Sequence, residues 1–127
     1  MDSLHKIYVD SSPKGEVRWY NSTTGEIGKH KMGKGKGVHE AEFLAVQRAL
    51  EDTLKRLREK EAVEIYCDRK VVVDQLNHIA GIKETAVLEM ADKVWNMAYR
   101  ANHDRGIDIK FQWVSRKVNP AGKMLGV

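Results

Sequence analysis

The sequence has a single cysteine and no long hydrophobic run. Cys67 can form neither an internal disulfide nor a paired-cysteine zinc site, and we predict that it is a small buried hydrophobe. No apolar run approaches the roughly 20 residues that span a bilayer. The first residues, Met1–Lys6, lack the apolar core of a signal peptide. We therefore expect a cytoplasmic protein that does not contact the membrane.

Length and charge indicate how many domains the chain forms and what kind of partner it binds. The 127 residues fit one domain, and no linker or change in composition divides the chain, so we expect a single domain over residues 1–127. A hydrophobic fraction of 42% suffices for one core, and charged residues of both signs, 31% of the total, indicate a solvated surface rather than disorder. The net charge of +4 weakly favours a polyanionic partner.

Alternation of apolar residues and turn signals predict five strands. The turn Asn21–Gly25 joins the second and third strands into a hairpin. The predicted strands are His5–Asp10, Glu16–Tyr20, Glu26–Lys31, Ala62–Asp68 and Ile107–Val114.

Apolar residues spaced by three and four predict the helices. They cover His39–Lys60, Val71–Ile79 and Glu84–Asn102, and Pro120 opens a short last helix. In the long third segment, the predicted buried face consists of Leu88, Ala91, Val94, Trp95 and Ala98. Short turns favour antiparallel pairing of the first three strands, whereas helical crossovers favour parallel pairing of the later ones. The predicted fold is α/β, with a mixed five-stranded sheet covered by helices.

Two strands end in the same way, Ile7–Asp10 with the letters IYVD and Ile65–Asp68 with IYCD. If these strands are parallel neighbours, both aspartates lie at the carboxyl edge of the sheet, where α/β proteins bind ligands. Two carboxylates about 4 Å apart repel by roughly 4 kcal/mol at an effective dielectric of 20. A divalent cation would remove this repulsion.

A third carboxylate points to the same place. Glu42 shares a helix face with the small apolar residues Ala45, Val46 and Ala49, so we expect it to face the sheet. An unpaired buried carboxylate is unfavourable, which calls for a metal or a cation beside it. Oxygen ligands alone favour Mg²⁺ or Mn²⁺ over zinc.

Four stretches in order resemble type 1 ribonuclease H, in particular its compact archaeal and bacterial forms. Ile7–Ser12 is similar to the family's first strand ending in D-G-S, and Ala41–Glu51 to its A-E-Y-x-A-L-x-x-A-L-E helix. Glu64–Asp68 with Val71–Asn77 resembles its second aspartate and V-V-x-Q-L-N helix, and Val114–Asn119 its V-P-R-x-x-N segment.

The resemblance implies Mg²⁺-dependent hydrolysis of the RNA strand of RNA–DNA hybrids. We also expect the protein to be a monomer. Asp10, Glu42 and Asp68 map onto three of the family's four metal-binding acids. A protein that binds such a hybrid reads its minor groove and 2′-hydroxyls and contacts its phosphates with cations. The residues proposed for nucleic-acid contact are Ser12, Lys34, Lys36, His39, Arg69, Arg116, Lys117 and Asn119. For Arg69 an ion pair with Asp68, and for His39 a helix-capping role, are equal alternatives.

The sequence departs from the family at several places. The fourth acid falls on Lys123, whose ammonium either neutralises Asp10 in place of a second metal or abolishes turnover. Gly37–His39 replaces a T-N-N motif, the hairpin after the first strand is shortened to Ser11–Gly15, and the last helix is truncated. These departures favour a second hypothesis, a module that binds hybrid or double-stranded nucleic acid without cutting it. A third hypothesis is a resolvase- or transposase-type nuclease. Such enzymes have a carboxylate late in the chain that we do not find in this sequence.

Overall fold

A computed structural model describes residues 4–12, 15–31 and 37–124. Five strands form one sheet in the order β3-β2-β1-β4-β5. The first three pair antiparallel, whereas β1–β4 and β4–β5 are parallel, which confirms the predicted mixed sheet. The strands are Leu4–Ser11 (β1), Glu16–Asn21 (β2), Ile27–Lys31 (β3), Ala62–Cys67 (β4) and Asp108–Trp113 (β5).

The helices follow the predicted order with shifted ends. They are Val38–Arg56 (α1), Lys70–Leu76 (α2), Thr85–Arg105 (α3) and Pro120–Met124 (α4), with a 3₁₀ turn over Arg116–Val118. None of the helices within the described ranges combines the length and hydropathy needed to cross a membrane.

Three helix boundaries were predicted wrongly. The first long helix ends at Arg56 rather than Lys60, because Leu57 turns to an extended conformation that buries its side chain against the core. The second ends at Leu76, three residues early, since the chain turns there. The third continues to Arg105 and stops at Gly106, which takes the left-handed conformation at φ 63° that suits glycine.

The core lies between one face of the sheet and helices α1 and α3. Ile7, Val9 and Ile65 of the central strands are buried together with Phe43 and Leu50 of α1. In α3, Ala91 and Val94 are buried as predicted, and Trp95 packs partly buried against the core. The prediction of Leu88 was wrong: it is 41% exposed, and Val87 and Ala101 are buried instead. Helix α1 is thereby held firmly against the sheet, with its amino-terminal turns beside the carboxyl ends of β1 and β4.

Candidate metal centre

The parallel pairing of the two central strands brings two aspartates together. Val9 of β1 pairs with Cys67 of β4, so Asp10 and Asp68, the next residues along each chain, emerge side by side. Glu42 reaches the same point from the second turn of α1. Each of the three offers a carboxylate oxygen, and these oxygens lie within 4.8 Å of one another. The predicted convergence is confirmed; the metal-binding and catalytic roles stay predictions.

Glu42 is fixed by donors from both central strands. The Ser11 hydroxyl donates to its Oε1 at 2.7 Å and the Ser11 amide at 3.2 Å, while the Cys67 thiol lies 3.3 Å from its Oε2. The Glu42 side chain is only 1% exposed. Cys67 is buried as predicted, but it is also a hydrogen-bond donor to the site. Ser11 was not among the predicted site residues, although its position directly after Asp10 was a usable signal.

The site is electrostatically unfavourable without a cation. Burial raises the pKa of Glu42 to about 8, and the neighbouring Asp10 adds to the increase. Burial and then the Asp68 charge raise the pKa of Asp10. In addition, Oδ1 of Asp68 is buried and finds no hydrogen-bond partner in the part of the chain that the structure describes. A buried acceptor with no donor and three crowded carboxylates fit a divalent cation with oxygen ligands.

Asn119 lies inside the protein rather than on its surface. We predicted that it contacts nucleic acid, but its side chain is 0% exposed because it joins the segment before α4 to the site. Its Nδ2 donates to the Val9 carbonyl at 2.9 Å and to Oδ2 of Asp68 at 3.1 Å, and its Oδ1 accepts from the Ala121 amide at 3.1 Å. Asn119 therefore orients Asp68.

The α4 residue that meets Asp10 is Gly122, not Lys123. A Cβ at Gly122 would lie 2.9 Å from Oδ2 of Asp10, so only glycine fits this approach without a shift. Lys123 is exposed and makes no ion pair within 4.0 Å to another described residue. Burial and Asp68 raise the pKa of Asp10, and the cation that partly offsets them is Arg116. The predicted neutralisation of Asp10 by Lys123 is therefore not observed.

A cavity of about 660 Å³ opens at Asp10 and is rimmed by cations. Arg69, Arg116, Lys117 and Lys123 all line it. The Arg69 Nε lies 3.9 Å from Oε1 of Glu42, so the structure pairs it with Glu42 instead of Asp68. Four positive side chains thus line the cavity that opens onto Asp10, a charge pattern that suits phosphate.

The remaining predicted contacts are more scattered. His39 does not cap α1, whose N-cap is Gly37; its ring bonds Oε1 of Gln75 at 2.7 Å and lines a neighbouring cavity. Ser12 is half-buried, and its hydroxyl has no hydrogen-bond partner among residues with a described position. Lys34 and Lys36 lie outside the described residues.

The sheet order and the three clustered acids define a protein with the ribonuclease H-like fold. A family model described as reverse transcriptase-like matches residues 18–125, and the chain belongs to that family. A search of curated proteins found no significant match.

Solved structures of similar fold include several ribonucleases. Ribonuclease H1 from the halophilic archaeon Halobacterium salinarum superimposes with a TM-score of 0.79 at 20% identity, over 97% of this chain and 94% of that one. The N-terminal ribonuclease H domain of rv2228c from Mycobacterium tuberculosis gives 0.73 at 18% identity, over 96% and 95%. LC11-RNase H1, from a compost metagenome and solved with an RNA/DNA hybrid, gives 0.79 at 21% identity, over 95% and 92%.

Proposed function

We propose that this chain is a divalent-metal-dependent endonuclease that hydrolyses the RNA strand of RNA–DNA hybrids. The observation that carries the proposal is the cluster of Asp10, Glu42 and Asp68, whose oxygens lie within 4.8 Å of one another. The hybrid bound by LC11-RNase H1, a protein of the same fold, supports the substrate class.

Asp10, Glu42 and Asp68 would hold Mg²⁺ or Mn²⁺. When bound, such an ion lowers the pKa of water and stabilises negative charge on a phosphate. The protein's own contribution is to position the ligands: Ser11 fixes Glu42, and Asn119 fixes Asp68. Both donors are neutral, so they orient the carboxylates and leave their negative charge available to a cation.

The cationic rim would hold the substrate strand. Arg116 and Lys117 are exposed, Arg69 is about one-third exposed, and all three face the same cavity as Asp10. Phosphate contacts of this kind position the backbone independently of sequence. We therefore propose that they place the RNA backbone over the carboxylates.

The test is cleavage of an end-labelled RNA–DNA hybrid in Mg²⁺ and in Mn²⁺. We expect the wild type to cut the RNA strand, and Asp10→Asn to lose more than about 100-fold in rate, because even the outer partners of a metal site contribute roughly 10–100-fold. Asp92→Asn, an exposed position on α3, is the matched control and should retain full activity. Activity in excess EDTA, or equal activity of the two variants, would contradict the proposal.

A second function is favoured by one observation, the glycine–lysine pair of α4. Gly122 meets Asp10 and Lys123 is exposed, so the described part of α4 brings no carboxylate to the centre. A chain with three acids could bind hybrid or double-stranded nucleic acid without cutting it. Tight hybrid binding without cleavage in either metal would favour this function, and a gain of cleavage in Lys123→Asp would show which position limits the enzyme.

A further inference from the structure

The sheet face opposite α1 carries a row of aromatic side chains. Side chains alternate between the two faces of a strand, so residues paired in register share a face. Tyr8 pairs with Tyr20 on one side and with Tyr66 on the other. Ile27 continues the row beyond Tyr20, and Gln112 continues it beyond Tyr66. The row crosses all five strands.

Little of the described chain covers this row. Helices α1 and α3 lie against the other face, and α4 is the described helix that contacts β1 and β2 from this side, at the Asp10 end. Ile27 is 63% exposed and Tyr20 is only half-buried. A single exposed apolar residue is common, but Ile27 lies beside the Tyr20 ring, so the two form one apolar patch on this face.

Beside the aromatic row lies a row of cations. Arg18 pairs with Lys29 and Glu16 with Lys31, on the same face as Tyr20. These side chains, with His30, line a cavity of about 420 Å³. It shares no lining residue with the cavity at the carboxylates, although Arg18 is the cross-strand neighbour of Asp10. Three cations face one carboxylate there. Nε of Arg18 is buried and has no hydrogen-bond partner within the described ranges, and the nearest acid, Glu16, is 3.6 Å from its guanidinium.

The two rows match the two parts of a nucleotide. Arg18 and Tyr20 are two residues apart on one strand, so their side chains lie about 7 Å apart on the face. Tyr8 and Tyr66 already stack on each other, with ring centroids 4.9 Å apart and an angle of 16° between planes. The Tyr20 and Ile27 end of the row is therefore the part nearest the cations that is available to a flat ligand.

We propose that this surface, formed by Arg18, Tyr20, Ile27, Lys29 and Lys31, binds single-stranded nucleic acid. The bases lie on Tyr20 and Ile27, and the phosphates lie on the three cations. A single strand is required because a duplex hides its base faces, whereas aromatic side chains bind unpaired bases of any sequence. This inference goes beyond the proposed nuclease activity and does not depend on it.

The test is binding of a fluorescent oligothymidylate, followed by anisotropy in EDTA over a range of salt concentrations. Single-stranded DNA is not a ribonuclease H substrate and EDTA removes metal, so failure of the nuclease proposal would not affect the result. We expect the double variant Lys29→Gln/Lys31→Gln to bind at least about tenfold more weakly. The slope of log K against log salt should become shallower by about 1.4, since each phosphate contact on a single strand contributes about 0.7.

Substitutions in the aromatic row should have a different signature. Tyr20→Ala should weaken binding about 5- to 100-fold with an unchanged salt slope, because stacking does not release counterions. Tyr20→Phe should bind like the wild type. If Tyr20→Ala does not fold, Ile27→Ser at the exposed end of the row tests the same contact. The charge-matched control is Lys55→Gln/Lys93→Gln, on helices of the opposite face.

Three results would overturn the proposal. The first is that the wild type does not bind the oligothymidylate, or that the test pair of lysine substitutions weakens binding no more than the control pair does. The second is loss confined to Arg116→Gln/Lys117→Gln, which would place the strand in the carboxylate cavity. The third is a wild-type dimer that Tyr20→Ala dissociates in sedimentation, which would make this face a protein interface.

Discussion

Replacing Glu42 by glutamine should stabilise the metal-free protein at alkaline pH. In the fold, burial raises the pKa of Glu42 from 4.5 to about 8. The folded protein therefore holds this proton more tightly than the unfolded chain does. Its contribution to stability is complete below about pH 4.5 and is lost as the pH rises to about 8. At 1.36 kcal/mol per pKa unit, the loss is on the order of 5 kcal/mol.

Glutamine cannot ionise but keeps an oxygen that accepts from Ser11. Glu42→Gln should therefore match the wild type near pH 4.5 and exceed its free energy of unfolding by about 3–5 kcal/mol near pH 9, both in EDTA. Urea unfolding followed by tryptophan fluorescence measures both, because Trp19 is buried and should report the transition. In millimolar Mg²⁺ the difference in free energy of unfolding between the two proteins should narrow or reverse. Metal binding stabilises only the folded state with its ligands in place, and the wild type keeps all three carboxylates.

The control is Glu89→Gln, an exposed glutamate on α3 that contacts no part of the site. This substitution should leave the pH dependence of the free energy of unfolding unchanged. If Glu42→Gln is no more stable than the wild type near pH 9 without metal, Glu42 is not confined among other carboxylates and the electrostatic argument for a cation fails.

Three further substitutions test packing, the first at the edge of the sheet and the other two beside the carboxylates. Gly28→Ala should destabilise by more than about 3 kcal/mol in urea unfolding, because the new Cβ would lie 1.9 Å from the Trp19 ring, whereas Gly81→Ala, with open space around it, should change little. Asn119→Ala removes two donors from the interior and should lower the free energy of unfolding by about 1–3 kcal/mol, with weaker Mn²⁺ binding in calorimetry. Gly122→Ala should weaken Mn²⁺ binding while Lys123→Ala leaves it unchanged; equal effects would place the lysine in the centre.

Much of the carboxylate cluster could be predicted from local patterns. Two strands with the same ending, IYVD and IYCD, predicted parallel neighbours with adjacent aspartates, and the register of Val9 with Cys67 confirms it. Glu42 was predicted to face inward from the small residues on its helix face, and it is 1% exposed. Both signals work because strand and helix periodicity alone decide which way a side chain points.

What the sequence did not predict depends on contacts between distant segments. Asn119 is a polar residue near a basic turn, which is typical of a surface contact, but tertiary packing places it under Asp68. Whether Gly122 or Lys123 faces Asp10 depends on the rotation of α4, a helix of five residues and too short for a periodic pattern. Likewise, α1 stops at Arg56 because Leu57 is buried by turning away, which helix propensity does not foresee.

The parallel pairing of β1 with β4 also has a kinetic consequence. Its two aspartates stand at positions 10 and 68, with a hairpin and the whole of α1 between them. Contacts between such remote segments form late, after shorter loops have closed. A folding chain that has completed only its first hairpins would not have brought the three carboxylates together, so the onset of Mn²⁺ affinity during refolding should report the pairing of β4 with β1 and the docking of α1.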